Sequence, residues 1–203
     1  MLVEVFKQPR FWLMLWGGIG LVALVYFIIA ASVQPSNPSA PSALKHDRSL
    51  LTGEMADFVY AFPPRGAPKI AFEYEGEAKM LNDFRGRAVL VNFWATWCAP
   101  CLKELPSLDK LQEQLGSNKF EVVAIAADPR GPEVAQEFLD RLNIAHLKLY
   151  ADPRLAFTSA IGGANVLPVS ILYDAQGQEV GRLVGEADWT SPEAIRLVKS
   201  TIP

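Results

Sequence analysis

Apolar positions along the chain change period several times, and those changes mark out its elements. One uncharged run, FWLMLWGGIGLVALVYFIIAASV, covers positions 11–33. As a helix rising about 1.5 Å per residue it is long enough for a hydrocarbon core of roughly 30 Å. Positions 34–43 (QPSNPSAPSA) then place Pro35, Pro38 and Pro41 three apart, a composition that buries little and favours an extended spacer. Leu50, Leu51, Met55 and Phe58 return near helical spacing, which predicts a short docking helix that Gly53 weakens. Pro63-Pro64-Arg65-Gly66 breaks the chain again.

From there short β-rich runs alternate with amphipathic stretches. Positions 69–74 alternate as a strand does, and Glu75-Gly76 follows as a turn. Ala88–Trp94 (AVLVNFW) and 121–127 (EVVAIAA) are continuous apolar runs, the pattern of strands buried on both faces. Leu102, Leu105, Leu108, Leu111 and Leu115 stripe a helix that begins around the cysteines. Another helix opens at Pro132, with Val134, Phe138 and Leu142 as its apolar side. A short strand at 147–150 and a short helix at 153–160 follow. Val169–Tyr173, a turn at 174–177 and Glu179–Val184 form a predicted hairpin. A last helix runs from about 192 to 200, capped by Thr190 or Ser191. This alternation predicts an α/β fold with a central mixed β-sheet and flanking helices. The expected plan is a membrane anchor at 1–33, a Pro/Ser-rich linker at 34–48, a docking helix and connector at 49–66, and a globular domain at 67–203.

Charge and composition refine this picture. The 203 residues carry a net charge of −3, which argues against nucleic acid, a partner that selects clustered Lys and Arg. The run at 11–33 exceeds the apolar region of a cleavable secretory signal, about 7–15 residues, although Ala30-Ala31-Ser32 offers a small-residue cleavage site. Lys7 and Arg10 flank its start and favour a cytoplasmic N-terminus. The expectation is a single-pass protein of the inner (cytoplasmic) membrane with its C-terminal domain in the periplasm.

Candidate chemistry converges on Cys98 and Cys101, the chain's two cysteines. So close a pair cannot staple a large loop, which argues against a structural disulfide framework. The pair lies where a buried strand runs into a helix. At a helix N-terminus, free backbone N–H groups and the macrodipole stabilise an anion and give Cys98 thiolate character. Cys101 lies one turn inward, suited to resolving a mixed disulfide, and Pro100 is tolerated in a first turn. A zinc knuckle needs four ligands, and only the distant His46 and His146 add to the two cysteines. Covalent haem needs a His where Leu102 stands. A Cu(I) site on two thiolates stays open as an alternative.

WATWCAPC followed by KELP resembles the thioredoxin-like proteins of the TlpA/ResA/DsbE group. The resemblance extends over Gly53-Glu54-Met55-Ala56, Asp83-Phe84-Arg85-Gly86, 120–124 (FEVVA), Leu167-Pro168 and 186–189. It implies a thioredoxin fold with an inserted βα element, near 132–150, and a periplasmic enzyme exchanging a Cys98–Cys101 disulfide with client proteins. It further implies that Pro168 is the cis-proline facing the cysteines, the alternative being a trans-proline opening an edge strand. Glu104 matches an acidic residue that passes a proton to or from Cys101; by spacing alone a solvated helix carboxylate is equally compatible. Pro106 should kink the motif helix. Trp97, Leu167 and Val169 are the candidate substrate-binding residues, and Trp94 reads as core. Two departures stand out. Asn92 occupies the position of a buried Asp in many thioredoxins, and Val169 replaces a common Thr.

Ala99 and Pro100 add neither charge nor side-chain donor between the sulfurs, so Cys98 should be moderately acidic and the protein a reductant. An oxidase remains an alternative. A reductant in an oxidising compartment must be recharged, and the resemblance implies a transmembrane electron donor of the CcdA/DsbD kind. Its implied clients are copper-site assembly factors of cytochrome oxidase, or apocytochrome c. No metal and no cofactor beyond the redox-active pair are expected.

Overall fold

The computed structural model describes residues 24–27, 47–162 and 166–203. The chain divides into two compact units, Met1–Lys45 and His46–Pro203. Of the first unit, residues 24–27 are described, as helical and exposed. The rest of the expected anchor, and the linker up to residue 46, lie outside the described residues. Among those described, no helix is long and apolar enough to cross a membrane.

The second unit is built on an eight-stranded sheet. Its strands are β1 (Val59–Tyr60), β2 (Phe72–Tyr74), β3 (Glu77–Lys79), β4 (Ala88–Trp94), β5 (Phe120–Ala126), β6 (Tyr150–Ala151), β7 (Val169–Tyr173) and β8 (Glu179–Val184). The helices are α1 (Ala99–Leu115), α2 (Pro132–Arg141), α3 (Ala156–Ala160) and α4 (Pro192–Lys199). Strand order is β1-β8-β7-β4-β5-β6-β2-β3. β4 lies centrally, parallel to β5 and antiparallel to β7. Every residue of β4, β5 and β7 is buried, as continuous apolar runs require. α2 and β6 form the inserted element between β5 and α3.

Strand parity divides the interior. Val89, Val91 and Phe93 of β4 join Val123, Ile125, Val169, Ile171 and Tyr173 in one core cluster, with Phe72, Tyr150 and Phe157. The intervening β4 positions, Asn92 among them, face the other side, where α1 packs near β5. Asn92 stands opposite Ser170 in the β4–β7 register, so both present their side chains to the layer of α1. There the central sheet turns two uncharged polar groups towards a helix.

The segment 49–66 differs from expectation. It forms 3₁₀ turns at Arg48–Leu50 and Gly53–Met55 and then the edge strand β1, rather than one helix. Gly53, at φ 54°, takes a left-handed conformation that an α-helix cannot contain. Met55 and Phe58 are nonetheless buried.

Candidate functional site

The site grows from the carboxyl end of β4. Trp94 is fully buried; its carbonyl accepts from Ala127 N–H at 2.7 Å, which ties the strand end to β5. Thr96 donates through its backbone N–H (3.2 Å) and its hydroxyl to Oδ2 of the buried Asp128, just beyond β5. Arg130 braces the same carboxylate on both oxygens. Burial alone would raise the Asp128 pKa, but the donors from Thr96 and Arg130 outweigh it and hold the group below its ordinary value. The loop carrying the cysteines is therefore pinned to β5 by an ionised carboxylate.

Cys98 is the N-cap of α1. Its Sγ accepts the backbone N–H of Cys101 at 3.3 Å, and its carbonyl accepts from Leu102 at 3.1 Å. Sulfur thus occupies the place where an oxygen of Ser or Asp usually caps a helix. Cys98 and Cys101 are joined as a disulfide. Cys101 is fully buried and Cys98 is 5% exposed, so Cys98 is the more accessible of the pair but less open than its sequence position implies. Trp97 beside it is 62% exposed. Pro106 lies inside α1.

Glu104 lies one turn beyond Cys101, on the same buried side of α1. Its Oε1 accepts from Asn92 Nδ2 at 2.7 Å, and its Oε2 accepts from Ala187 N–H and Trp189 Nε1, each at 3.3 Å. Three elements converge on one carboxyl: β4, α1 and the loop leading into α4. Burial pushes its pKa from 4.5 up to about 7, against those hydrogen bonds, which favour the charge; Glu186 adds a smaller upward push. Of the two readings that spacing left equal, the solvated helix carboxylate does not describe this buried group. An open cleft of about 500 Å³, lined among others by Glu54, Lys103, Glu104, Lys110, Glu186 and Asp188, lies against it.

Leu167–Pro168 is a cis peptide bond, and Pro168 is buried, its carbonyl accepting from Gly185 N–H at 2.9 Å. Leu167 is half-buried against the core cluster. Val169 corrects the expectation of a substrate-binding side chain. It is a core residue, and its backbone pairs with Phe93 on one side and Val184 on the other. Its parity sends the side chain to the core face, so replacing a Thr there alters packing rather than a groove.

Sequence reasoning missed Asp128, Arg130 and Ser170. Asp128 carried a signal, an acid at the carboxyl end of a buried strand, where open α/β sheets build their sites. Ser170 carried a weaker one, a lone hydroxyl within VSILY. Among the described residues no group of three or more His, Cys, Asp or Glu could hold a metal ion.

A CxxC disulfide capping a helix after the central strand, with a cis-proline ahead of β7, defines a thioredoxin-fold protein. Residues 64–197 match the Redoxin family, and the chain belongs to it. Its relatives are of the TlpA/ResA/DsbE thioredoxin-like type. It is 30% identical over 119 residues to the thiol-disulfide oxidoreductase ResA of Bacillus cereus, covering 58% of this chain and 66% of that protein. It is 33% identical over 109 residues to ResA of Halalkalibacterium halodurans, covering 53% and 60%. The chain thus spans under two thirds of the length of these curated relatives. Among solved structures it is similar to a thiol:disulfide interchange protein of Chlorobium tepidum, with TM-score 0.57 and 27% identity over 70% of this chain and 99% of that one. A DsbF homologue from Corynebacterium diphtheriae gives TM-score 0.58 and 26% identity over 71% and 90%.

Proposed function

We propose that the protein is a membrane-anchored periplasmic thiol–disulfide oxidoreductase that reduces disulfides in particular client proteins. The observation that carries this reading is the Cys98–Cys101 disulfide at the N-terminus of α1, with a buried carboxyl one turn further on. Similarity to ResA proteins supports the redox class. The uncharged run at 11–33 supports the anchor, and Ala99 and Pro100 between the sulfurs support a reducing direction.

In the reduced protein the Cys98 thiolate attacks a client disulfide. A Cys98–client bond forms, the client S–S bond breaks, and one client sulfur leaves as thiolate. Cys101 then gives its proton to ionised Glu104 and attacks Cys98 Sγ. The mixed disulfide breaks, the second client sulfur leaves as thiolate, and two electrons have passed to the client. A carboxyl whose pKa lies near 7 can accept that proton and later return it. Pro168 and Leu167 form the cis bond that leads into β7, and Trp97 offers an exposed aromatic surface beside Cys98; these are the groups we assign to client docking. A transmembrane donor of the CcdA/DsbD kind returns the electrons. The clients are copper-site assembly factors of cytochrome oxidase or apocytochrome c.

Cys101→Ser in the full chain tests this cycle. It should accumulate covalent adducts on Cys98 that dithiothreitol releases and that Cys98→Ser abolishes. Absence of any reductant-sensitive adduct would sink the mechanism, and the identity of trapped proteins separates the two client classes.

A further inference from the structure

Every group that touches the Glu104 carboxyl is a donor: Asn92 Nδ2, Ala187 N–H and Trp189 Nε1. That set suits a carboxylate and offers nothing to a carboxyl O–H. Yet an unused acceptor lies on one of those same side chains. Asn92 Oδ1 is buried and has no hydrogen-bond partner, while Asn92 Nδ2 serves both Glu104 (2.7 Å) and Ser170 Oγ (2.9 Å). A half-turn of the amide about its terminal bond would exchange donor for acceptor towards both neighbours. Oδ1 would then accept from a protonated Glu104, and the Ser170 hydroxyl, able to donate or accept, would reverse its role. With Glu104 ionised, the turned amide would set oxygen against carboxylate and is disfavoured. Each orientation leaves one end of the amide unpaired, so neither is locked by the surrounding groups.

We propose that Asn92 is a positioning residue whose amide turns over with the proton on Glu104, keeping the carboxyl hydrogen-bonded in both protonation states. The proposal rests on the reading of Glu104 as the proton acceptor for Cys101. In that cycle the carboxyl must be held equally well before and after it takes the proton. An Asp at position 92 would instead compete for the proton; an amide follows it. Burial of Glu104, which brings its titration near 7, makes both states accessible at neutral pH. The titratable and charged groups around the carboxyl are Cys101, Lys103 and Lys110 on α1, Glu186 and Asp188 on the loop into α4, and Glu54 from the N-terminal turn. β4 and β7 present it only the neutral Asn92 and Ser170. In the oxidised protein Cys101 does not titrate, so Glu104 and Asn92 can be followed without it.

The test is a pH series on the full-length oxidised protein, following the Glu104 carboxyl carbon and the Asn92 side-chain amide by NMR. The expected result is that the two Asn92 amide protons shift with the same midpoint as Glu104, and that coupling across the Nδ2–Oε1 hydrogen bond disappears on the acid side. If Glu104 titrates while the Asn92 amide stays unchanged, the inference is wrong and the role of Glu104 stands. If Glu104 does not titrate between pH 5 and 9, both fall. Persistence of the Nδ2–Oε1 coupling on both sides of the midpoint would mean a fixed amide with a merely structural role, and would overturn the inference.

Discussion

Glu104 is a carboxyl held where water cannot solvate its charge, and that has a consequence for stability with a definite sign. Its pKa is about 7 in the folded protein against 4.5 ordinarily, so between those values the native state binds the proton that the unfolded chain has lost. Its contribution to stability is therefore fully present below about pH 4.5 and is lost as pH rises through 7. Asp109 and Asp128 are held below their ordinary 3.8, so their stabilising contributions are lost only at more acid pH. Urea unfolding of the oxidised protein should show wild type losing up to ~3 kcal/mol relative to Glu104→Gln between pH 5 and 8. A flat difference between the two proteins would contradict the burial of an ionisable group there. The same variant should remove the pH dependence of mixed-disulfide resolution near neutrality, measured by stopped-flow. At this scale the sequence announced the cysteines and the exposed Trp97. It left the role of Glu104 open between two readings, because burial depends on which side of α1 meets the sheet. Asp128 and Ser170 escaped because their partners are chosen by strand register, which no local pattern records.

Central elements were legible and edge elements were not. β4, β5, β7 and β8 are long enough to carry a buried or paired pattern of their own, and their bounds fall within a residue of the apolar runs. β1, β3 and β6 are two or three residues long and owe their extended state to a neighbouring strand. β1 shows how the sequence hides such a partner. It lies so close to β8 that a Cβ on Gly181 would meet the Val59 carbonyl oxygen and the Phe58 ring, each at 2.5 Å. Backbone cannot yield as a flexible side chain can, so Gly181→Ala should cost about 1–3 kcal/mol. Gly66→Ala, whose nearest neighbour would be a Gln178 nitrogen at 3.9 Å, should change stability by less than about 0.5 kcal/mol. Urea midpoints of the two variants make the comparison. Equal midpoints would mean that β1 does not dock on β8 as described. In the expected docking helix and connector at 49–66, one helix gives way for a related reason: Gly53 leaves the helical region, and Met55 reaches the core from a 3₁₀ turn instead.

For the whole molecule, strand–helix alternation was enough to establish an α/β sheet, and the CxxC segment was enough to place the candidate site at the carboxyl end of β4. Direction of electron flow is a property of the assembled site. Cys98 takes one backbone N–H on its sulfur, and the two residues between the sulfurs, Ala99 and Pro100, bring no cation to stabilise its thiolate further. A thiolate stabilised so modestly leaves the reduced form ready to give up electrons, which is the behaviour proposed here. The most direct measurement is an equilibrium titration of Cys98–Cys101 in the full-length protein against thiol–disulfide buffers. The expected result is one reversible two-electron transition at a potential below about −200 mV, absent from Cys98→Ser. A pair that does not re-form reversibly, or one with a potential near the roughly −120 mV of a strong periplasmic oxidant, would contradict it.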